Sequence, residues 1–455
     1  MSTSTHPESP LDREHIAHIE VGNTNVSPGI ARSLVLWFLL MLAALPSVEW
    51  VGADDAESRG APSAWAHLSG LPEVMADRLA ALHAGVPEAS HWTRIVTANR
   101  AVLEALSAFE TALEDDSPVG RLLRPPTQVV LSGWLGVGNE RVYAGRDGWL
   151  FYRPDVEYIT GRGFLEPQQL ERRARSASEF ETVPQPDPRP AIRQFKRDLD
   201  ARGIKLVVMP TPVKSTVHPD RIAPAYHFER APLQNASYAA FLDDIAREGV
   251  LLFDPASEVA RAREESSEPP YLATDTHWRP EAMQRVAEAL TAFLARHVTL
   301  PSVQPPGYRV EPREARQIGD TTAMLDLPAG QTLYPPERVA LRFVVGPNGD
   351  PWRPSRDADV LVLGDSFSNV YSLSTMGWGE SAGFIEQLSY VLQRPVDRIV
   401  QNDQGAQATR VLLSRETGGS SDRLAGKRVV VWQFAARELA FGNWTVIPLP
   451  PAAPR

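Results

Sequence analysis

The chain has 455 residues, 43% of them hydrophobic, with a formal net charge of −10, 40 Pro and no Cys. That length suffices for one large globular domain with accessory segments, or for two domains. The acidic balance, with no basic patch, speaks against nucleic acid as a partner. The lack of Cys excludes disulfides, thiolate nucleophiles and Cys-ligated zinc.

Residues 1–32 are a polar lead, expected to be a cytoplasmic tail. The one long apolar run, SLVLWFLLMLAALPSVEWV over 33–51, follows. Its strongly apolar part, Ser33–Leu45, is shorter than the about 20 residues of a full span, and extension to Val51 brings in Pro46 and Glu49. Trp37 and Trp50 lie towards its ends, where amphipathic rings anchor. Arg32 precedes the run and Glu49, Asp54, Asp55 and Glu57 follow it, which favours an N-in, C-out anchor. A signal peptide with small residues at Ala43-Ala44 is the alternative, but the polar lead is long for one. The expectation is a single-pass membrane anchor, with the rest of the chain on the far side of that membrane.

Residues 52–135 have a helical pattern. Pro72–Ala84 puts Val74, Met75, Leu79 and Leu82 on one face, and Thr93–Leu113 repeats the arrangement before a break at 115–118. A helical spacer is expected here. From 136 to 447 short apolar strands alternate with helical stretches, the pattern of a layered α/β domain. Strands are expected at Trp149–Tyr152, Lys205–Met209, Val250–Phe253, Asp359–Leu363, Arg398–Gln401 and Arg428–Gln433. Helices are expected at Ala191–Arg202, Ser237–Glu248, Pro280–His297 and Gly383–Gln393. Lys205–Met209 and Val360–Leu363 are nearly continuous apolar runs, as in parallel strands covered on both faces. A Pro-rich tail closes the chain at 448–455.

Two local patterns carry chemistry. In the first, the apolar strand ending at Leu363 runs into Gly364-Asp365-Ser366, placing Ser366 at the carboxyl end of a strand, where ligand chemistry sits in open α/β sheets. An Asp-Ser turn that merely caps the next helix has the same sequence. The second is Asp275-Thr276-His277-Trp278. A serine nucleophile needs a base, and the base needs an orienting carboxylate. Asp275 and His277 project to one side if the segment is extended. Pro280 suits the first turn of a helix, whose positive end would disfavour a charged His277. Asp275, His277 and Asp365 as metal ligands are a rival reading, but no His-x-His or His-x-x-x-His pair supports it.

These residues resemble the alginate O-acetyltransferase family, whose catalytic domain is SGNH-hydrolase-like. The resemblance is carried by Gly138–Tyr152 followed by Asp155, Tyr158 and Gly161; by Gly203–Pro212 with Lys214; by Asp275–Trp278; by Gly364–Phe367; and by Val430–Phe434 with Arg437-Glu438-Leu439. It covers roughly residues 90–445. It implies an SGNH-like three-layer sandwich with a mostly parallel sheet, permuted because Asp and His precede Ser.

It also implies a triad of Ser366, His277 and Asp275 that acetylates hydroxyls of an exported polysaccharide through an acetyl-enzyme, without metal or cofactor. The implied partners are that polysaccharide, the inner membrane and a multi-pass membrane acyltransferase supplying the acetyl group. Oxyanion donors would be the Ser366 N–H with Asn402 and Gly405, although these two also suit an ordinary turn. Tyr371, Trp432 and Arg437 would line a sugar site, with Trp432 equally suited to the core. A carbohydrate acetylesterase using the same triad and a non-catalytic polysaccharide scaffold are the alternatives. Some relatives carry a C-terminal carbohydrate-binding module, and no such module is expected here.

Overall fold

A computed structural model describes residues 27–57, 64–85, 90–116, 118–176, 183–226, 232–418 and 422–451. Within these ranges, side chains at 45, 46, 49–57, 64, 85, 114–116 and 118 lie outside the description. The expected tail over 1–32 is therefore described only from Ser27. The chain divides into two compact units, one through Pro125 and one from Pro126.

The first unit is helical: Pro28–Glu57, Ala64–Ser69, Leu71–Gly85 and His91–Asp116; helix Pro118–Gly133 begins after the expected break and continues past Pro125. Leu34, Leu36, Phe38, Leu40 and Leu42 are all exposed on the first helix. Among the described residues no helix is long and apolar enough to cross a membrane. Part of the expected anchor, at 45, 46 and 49–51, has side chains outside the description.

The second unit is built on a five-stranded sheet of β3 (Lys205–Thr211), β4 (Leu251–Leu252), β7 (Val360–Gly364), β8 (Asp397–Val400) and β9 (Val429–Ala435), in the order β4-β3-β9-β7-β8. Every pairing is parallel. The central three strands are apolar on both sides because helices cover both faces. Val207, Met209, Val360, Val362, Val429 and Val431 pack into one core with Met283, Val286, Leu290 and Leu294 of helix Pro280–His297. The alternate residues Leu206, Val208, Leu361, Leu363, Val430 and Trp432 pack into a second core with Ile192, Phe195 and Leu199 of helix Pro188–Asp200. The result is an α/β fold of three layers.

Two antiparallel pairs stand outside this sheet. β1 (Val142–Ala144) pairs with β2 (Leu150–Tyr152). β5 (Arg309–Gln317) pairs along its whole length with β6 (Glu337–Val345). The ends of the second ribbon lead into Asp320 and Glu337, both of which hold the loop carrying Asp275 and His277.

Candidate active site

β7 is buried along its whole length and ends at Gly364. A Cβ on Gly364 would lie 2.5 Å from Ser368 Oγ and 3.2 Å from Gln433 Oε1, so the chain turns here only because the side chain is absent. Asp365 then caps the short helix Ser366–Asn369: its Oδ1 accepts from Phe367 N at 2.9 Å. The same carboxylate accepts from Gln433 Nε2 at 2.8 Å and from Ala435 N at 2.6 Å. Gln433 Oε1 accepts from Asp365 N at 3.0 Å and Ser368 Oγ at 2.7 Å, while its Nε2 also donates to Thr211 Oγ1 at 3.0 Å. All four hydrogen-bonding positions of this buried amide are filled, which ties the turn below Ser366 to β9 and β3. Ser366 itself is 8% exposed.

The second segment is bent rather than extended. Asp275 Oδ1 accepts from both His277 N, at 3.0 Å, and His277 Nδ1, at 2.7 Å. Asp275 Oδ2 accepts from Trp378 Nε1 and from Asp320 N, each at 3.0 Å. The carboxylate is thus held on both oxygens, and the bond to Nδ1 fixes the imidazole tautomer so that Nε2 is the free atom. His277 Nε2 is buried and has no hydrogen-bond partner among the described residues, Ser366 Oγ included.

The two segments are joined through their neighbours. The Phe367 and His277 rings lie 5.0 Å apart, edge to face. Trp278 Nε1 donates to Phe367 O at 3.1 Å, and Tyr371 Oη donates to Trp278 O at 2.7 Å.

Asp320 adds a second carboxylate. It accepts from Thr276 N at 2.7 Å and from Thr276 Oγ1 at 2.5 Å, and its Oδ2 lies 3.7 Å from His277 Nδ1. Burial, then the neighbouring charge of Asp275, pushes Asp320 up to about 6. Asp275 goes the other way: burial opposes its ionisation, but the charge and hydrogen bonds of His277 outweigh that and bring it down to about 2. Burial alone would lower His277; Asp275 and then Asp320 outweigh burial and raise it. This reverses the expectation drawn from the helix end. A hydrogen-bonded carboxylate and a second one 3.7 Å away outweigh a helix terminus whose first residue is Pro280.

A buried lysine braces the same loop from behind. Lys214 Nζ is inaccessible and donates to Ala273 O at 3.0 Å and to Leu150 O, and lies over the rings of Phe151 and Trp149 at 5.2 and 5.5 Å. Burial brings it down to about 8. Glu337 accepts from Ala273 N, Thr274 N and Thr274 Oγ1 at 3.0, 2.8 and 2.7 Å. The stretches around Trp149, Lys214 and Asp275, far apart in sequence, therefore meet at one loop.

The remaining expected residues are placed differently. Asp365 is consumed by its caps and does not join Asp275 and His277 as a metal ligand. Asp275, His277 and Asp320 do bring one ligand atom each within 4.8 Å of one another. Their contacts with Trp378, Thr276 and each other account for that closeness, so the cluster reads as a hydrogen-bonded network. Tyr371 and Trp432 do not line a sugar site. Tyr371 is fully buried, and Trp432, 1% exposed, packs edge-on against Phe195, Phe434 and Trp444. Arg437 is committed to buried Asp155, at 2.9 Å, with its guanidinium 6.0 Å from the Phe367 ring centre. Asn402 is exposed, and its Oδ1 accepts from Asn369 Nδ2 at 2.8 Å. Gly405 opens the helix Gly405–Arg415, and a Cβ there would lie 2.4 Å from Asp365 Cβ. Sequence reasoning missed Asp320, Trp378 and Gln433. The first two lie in stretches without periodicity, whereas Gln433 had a signal, a lone amide in a buried apolar strand.

The chain matches a family model described as an SGNH hydrolase-like domain of the acetyltransferase AlgX over residues 142–436. It is 26% identical over 343 residues to the probable alginate O-acetylase AlgJ of Pseudomonas aeruginosa, covering 74% of this chain and 80% of that protein. It is 25% identical over 345 residues to the protein of the same name from Pseudomonas syringae pv. tomato, covering 74% and 78%. Among solved structures it resembles the O-acetyltransferase domain of Pseudomonas putida AlgJ, at 21% identity and a TM-score of 0.49, over 66% of this chain and 93% of that one. With the family model spanning well over half of its length, the chain belongs to the SGNH hydrolase-like acetyltransferase family and is an acyltransferase.

Proposed function

We propose that the chain acetylates hydroxyl groups of an exported polysaccharide, alginate or a related polymer, through an acetyl-enzyme on Ser366. The observation that carries this reading is the Asp275–His277 pair, whose buried Nε2 has no partner among the described residues. His277 lies against Phe367, the residue after Ser366. Ser366 Oγ gives its proton to His277 Nε2 as it bonds the acetyl carbon. The bond from that carbon to the donor breaks, and the leaving group takes the proton. A sugar hydroxyl then gives its proton to Nε2 and bonds the acetyl carbon, and Ser366 Oγ leaves and recovers the proton. The Ser366 N–H would hold the oxyanion, with Asn402 and the Gly405 N–H as further donors. Asp275 orients the imidazole and balances its charge when protonated.

The same reading attaches the chain to the inner membrane through residues 33–51, with the acyltransferase unit in the periplasm and the acetyl group supplied by a multi-pass membrane acyltransferase. The exposed apolar side chains from Leu34 to Leu42 support membrane attachment.

The test is acetate release and acetylation of an oligosaccharide panel by the full chain and by Ser366→Ala. The variant is expected to lose about a thousandfold or more. Mass gained by the sugar indicates transfer, and free acetate alone indicates hydrolysis. Equal activity in both proteins overturns the assignment of Ser366.

A pH dependence follows. The base must be neutral, so activity rises as pH climbs through the raised His277 pKa. Asp320→Asn removes one of the two charges that raise it. The acidic limb of the pH–rate profile is therefore expected to move to lower pH, and an unmoved limb would show that Asp320 does not tune the base.

A further inference from the structure

Arg410 lies on helix Gly405–Arg415 and is 3% exposed. Among the described residues the other buried arginine holds a carboxylate, Arg423 meeting Asp397 at 2.7 Å, and so do the partly buried Arg202, with Asp422 at 2.7 Å, and Arg437, with Asp155 at 2.9 Å. Arg410 has no ion pair among the described residues. Its Nη2 donates to Ile447 O at 2.7 Å, and its guanidinium stacks 3.3 Å from the Phe195 ring centre. Its Nη1 is buried without a partner among the described residues. The carboxylate that most affects its charge, Asp198, is occupied: Oδ1 accepts from Gln194 Nε2 at 2.7 Å and Oδ2 from Leu449 N at 2.9 Å. Burial brings Arg410 down to about 9.

Beside it, Trp432 presents a second buried donor, Nε1, without a partner among the described residues. Its ring centre is 5.8 Å from the Arg410 guanidinium. Arg410 and Trp432 line one small cavity together with Gln407, Asn443, Trp444 and Thr445. Its volume of about 10 Å³ has room for one particle near the size of a water molecule.

A buried cation without a counter-charge is costly, and a buried N–H without an acceptor adds to that cost. A water molecule would satisfy the donors but not the charge. We infer that Arg410 and Trp432 form a binding site for one small monovalent anion, of the size and chemistry of chloride. The anion accepts from Arg410 Nη1 and Trp432 Nε1 and completes the attachment of residues 443–447 to helix Gly405–Arg415. That helix abuts Asp365 through Gly405, so the anion stabilises the wall behind the Ser366 turn without entering the chemistry. The inference is independent of the acetylation reading.

The test is thermal unfolding of the full chain at constant ionic strength while sodium gluconate is replaced by sodium chloride or bromide. The wild-type midpoint is expected to rise saturably, by roughly 2–4 °C. Trp432→Phe keeps an aromatic ring but removes the donor, and Arg410→Met removes the charge; both are expected to lose most of that rise. Trp432→Phe keeps the test standing if Arg410→Met does not fold. A crystal grown in bromide is expected to show an anomalous peak within hydrogen-bonding distance of both nitrogens. No halide-dependent rise in the wild type, the same rise in both variants, or a water without anomalous signal at that position overturns the inference.

Discussion

His277→Asn is expected to lower acetyl transfer by about 10³–10⁴-fold while leaving the melting temperature near that of the wild type. The asparagine amide can still donate to Asp275 Oδ1 in the place of Nδ1, and the ring it replaces is already short of one hydrogen bond, because Nε2 has none among the described residues. What it cannot do is take and return a proton at the position of Nε2. Folding is therefore largely preserved and turnover is lost. Activity assays beside a denaturation curve separate these outcomes. A variant that folds and retains transfer within tenfold of wild type would show that the buried imidazole is structural.

Gly319→Ala is expected to be among the most destabilising single substitutions in the second unit. A Cβ there would lie 2.0 Å from Thr274 O and 2.7 Å from Asp275 N. Both are backbone atoms, so no side chain can swing aside. The loop carrying Asp275 is itself held from several sides: Glu337 holds Ala273 and Thr274, Lys214 holds Ala273 O, and Thr321 Oγ1 bonds Thr274 O. Relief must come from moving Gly319 and Asp320 outward, which pulls Asp320 N from Asp275 Oδ2 and its carboxylate from Thr276. A loss of about 3–5 kcal/mol is expected from combined overpacking and broken buried hydrogen bonds, read as a fall in denaturation midpoint. Activity should fall with it, since the orientation of Asp275 depends on the same contacts. A midpoint unchanged within a degree would mean that the loop yields far more readily than its hydrogen bonds imply.

The parts of this molecule legible in sequence are those whose signal is local. Val360–Leu363 could hardly be anything but a buried strand, so Ser366 at its carboxyl end was a candidate before any neighbour was known. Asp275 and His277 are two residues apart, and their pairing needs no long-range contact. Helix Pro280–His297 begins and ends where the pattern put it, because Pro280 fixes its first turn.

What stayed hidden depends on distant partners. Asp320 and Trp378 bond Asp275 from 45 and 103 residues away, and neither sits in a periodic stretch. β5, with the sequence RVEPREARQ, is mostly exposed and polar and contains Pro312; it is a strand because β6 pairs with it, which its own composition does not announce. Gly405 suits both an oxyanion donor and an ordinary turn in the sequence; in the structure it opens a helix directly after Gln404, which is left-handed at φ 50°. Tyr371 and Trp432 illustrate a different limit. Aromatic residues suit both a sugar face and a core, and only the surrounding layers decide between them. Here both are enclosed, and the family resemblance that suggested them for substrate gave no means of seeing that.

The central claim is that Ser366 carries the acetyl group between donor and acceptor. Its most direct test is to incubate the full chain with an activated acetyl ester in the absence of sugar, quench in acid and map the peptides by mass. One added acetyl group is expected on the peptide containing Ser366, absent from Ser366→Ala and discharged when an acceptor oligosaccharide is supplied before the quench. An acetyl group that forms equally on Ser366→Ala, or one on Ser366 that the acceptor does not remove, would contradict the account.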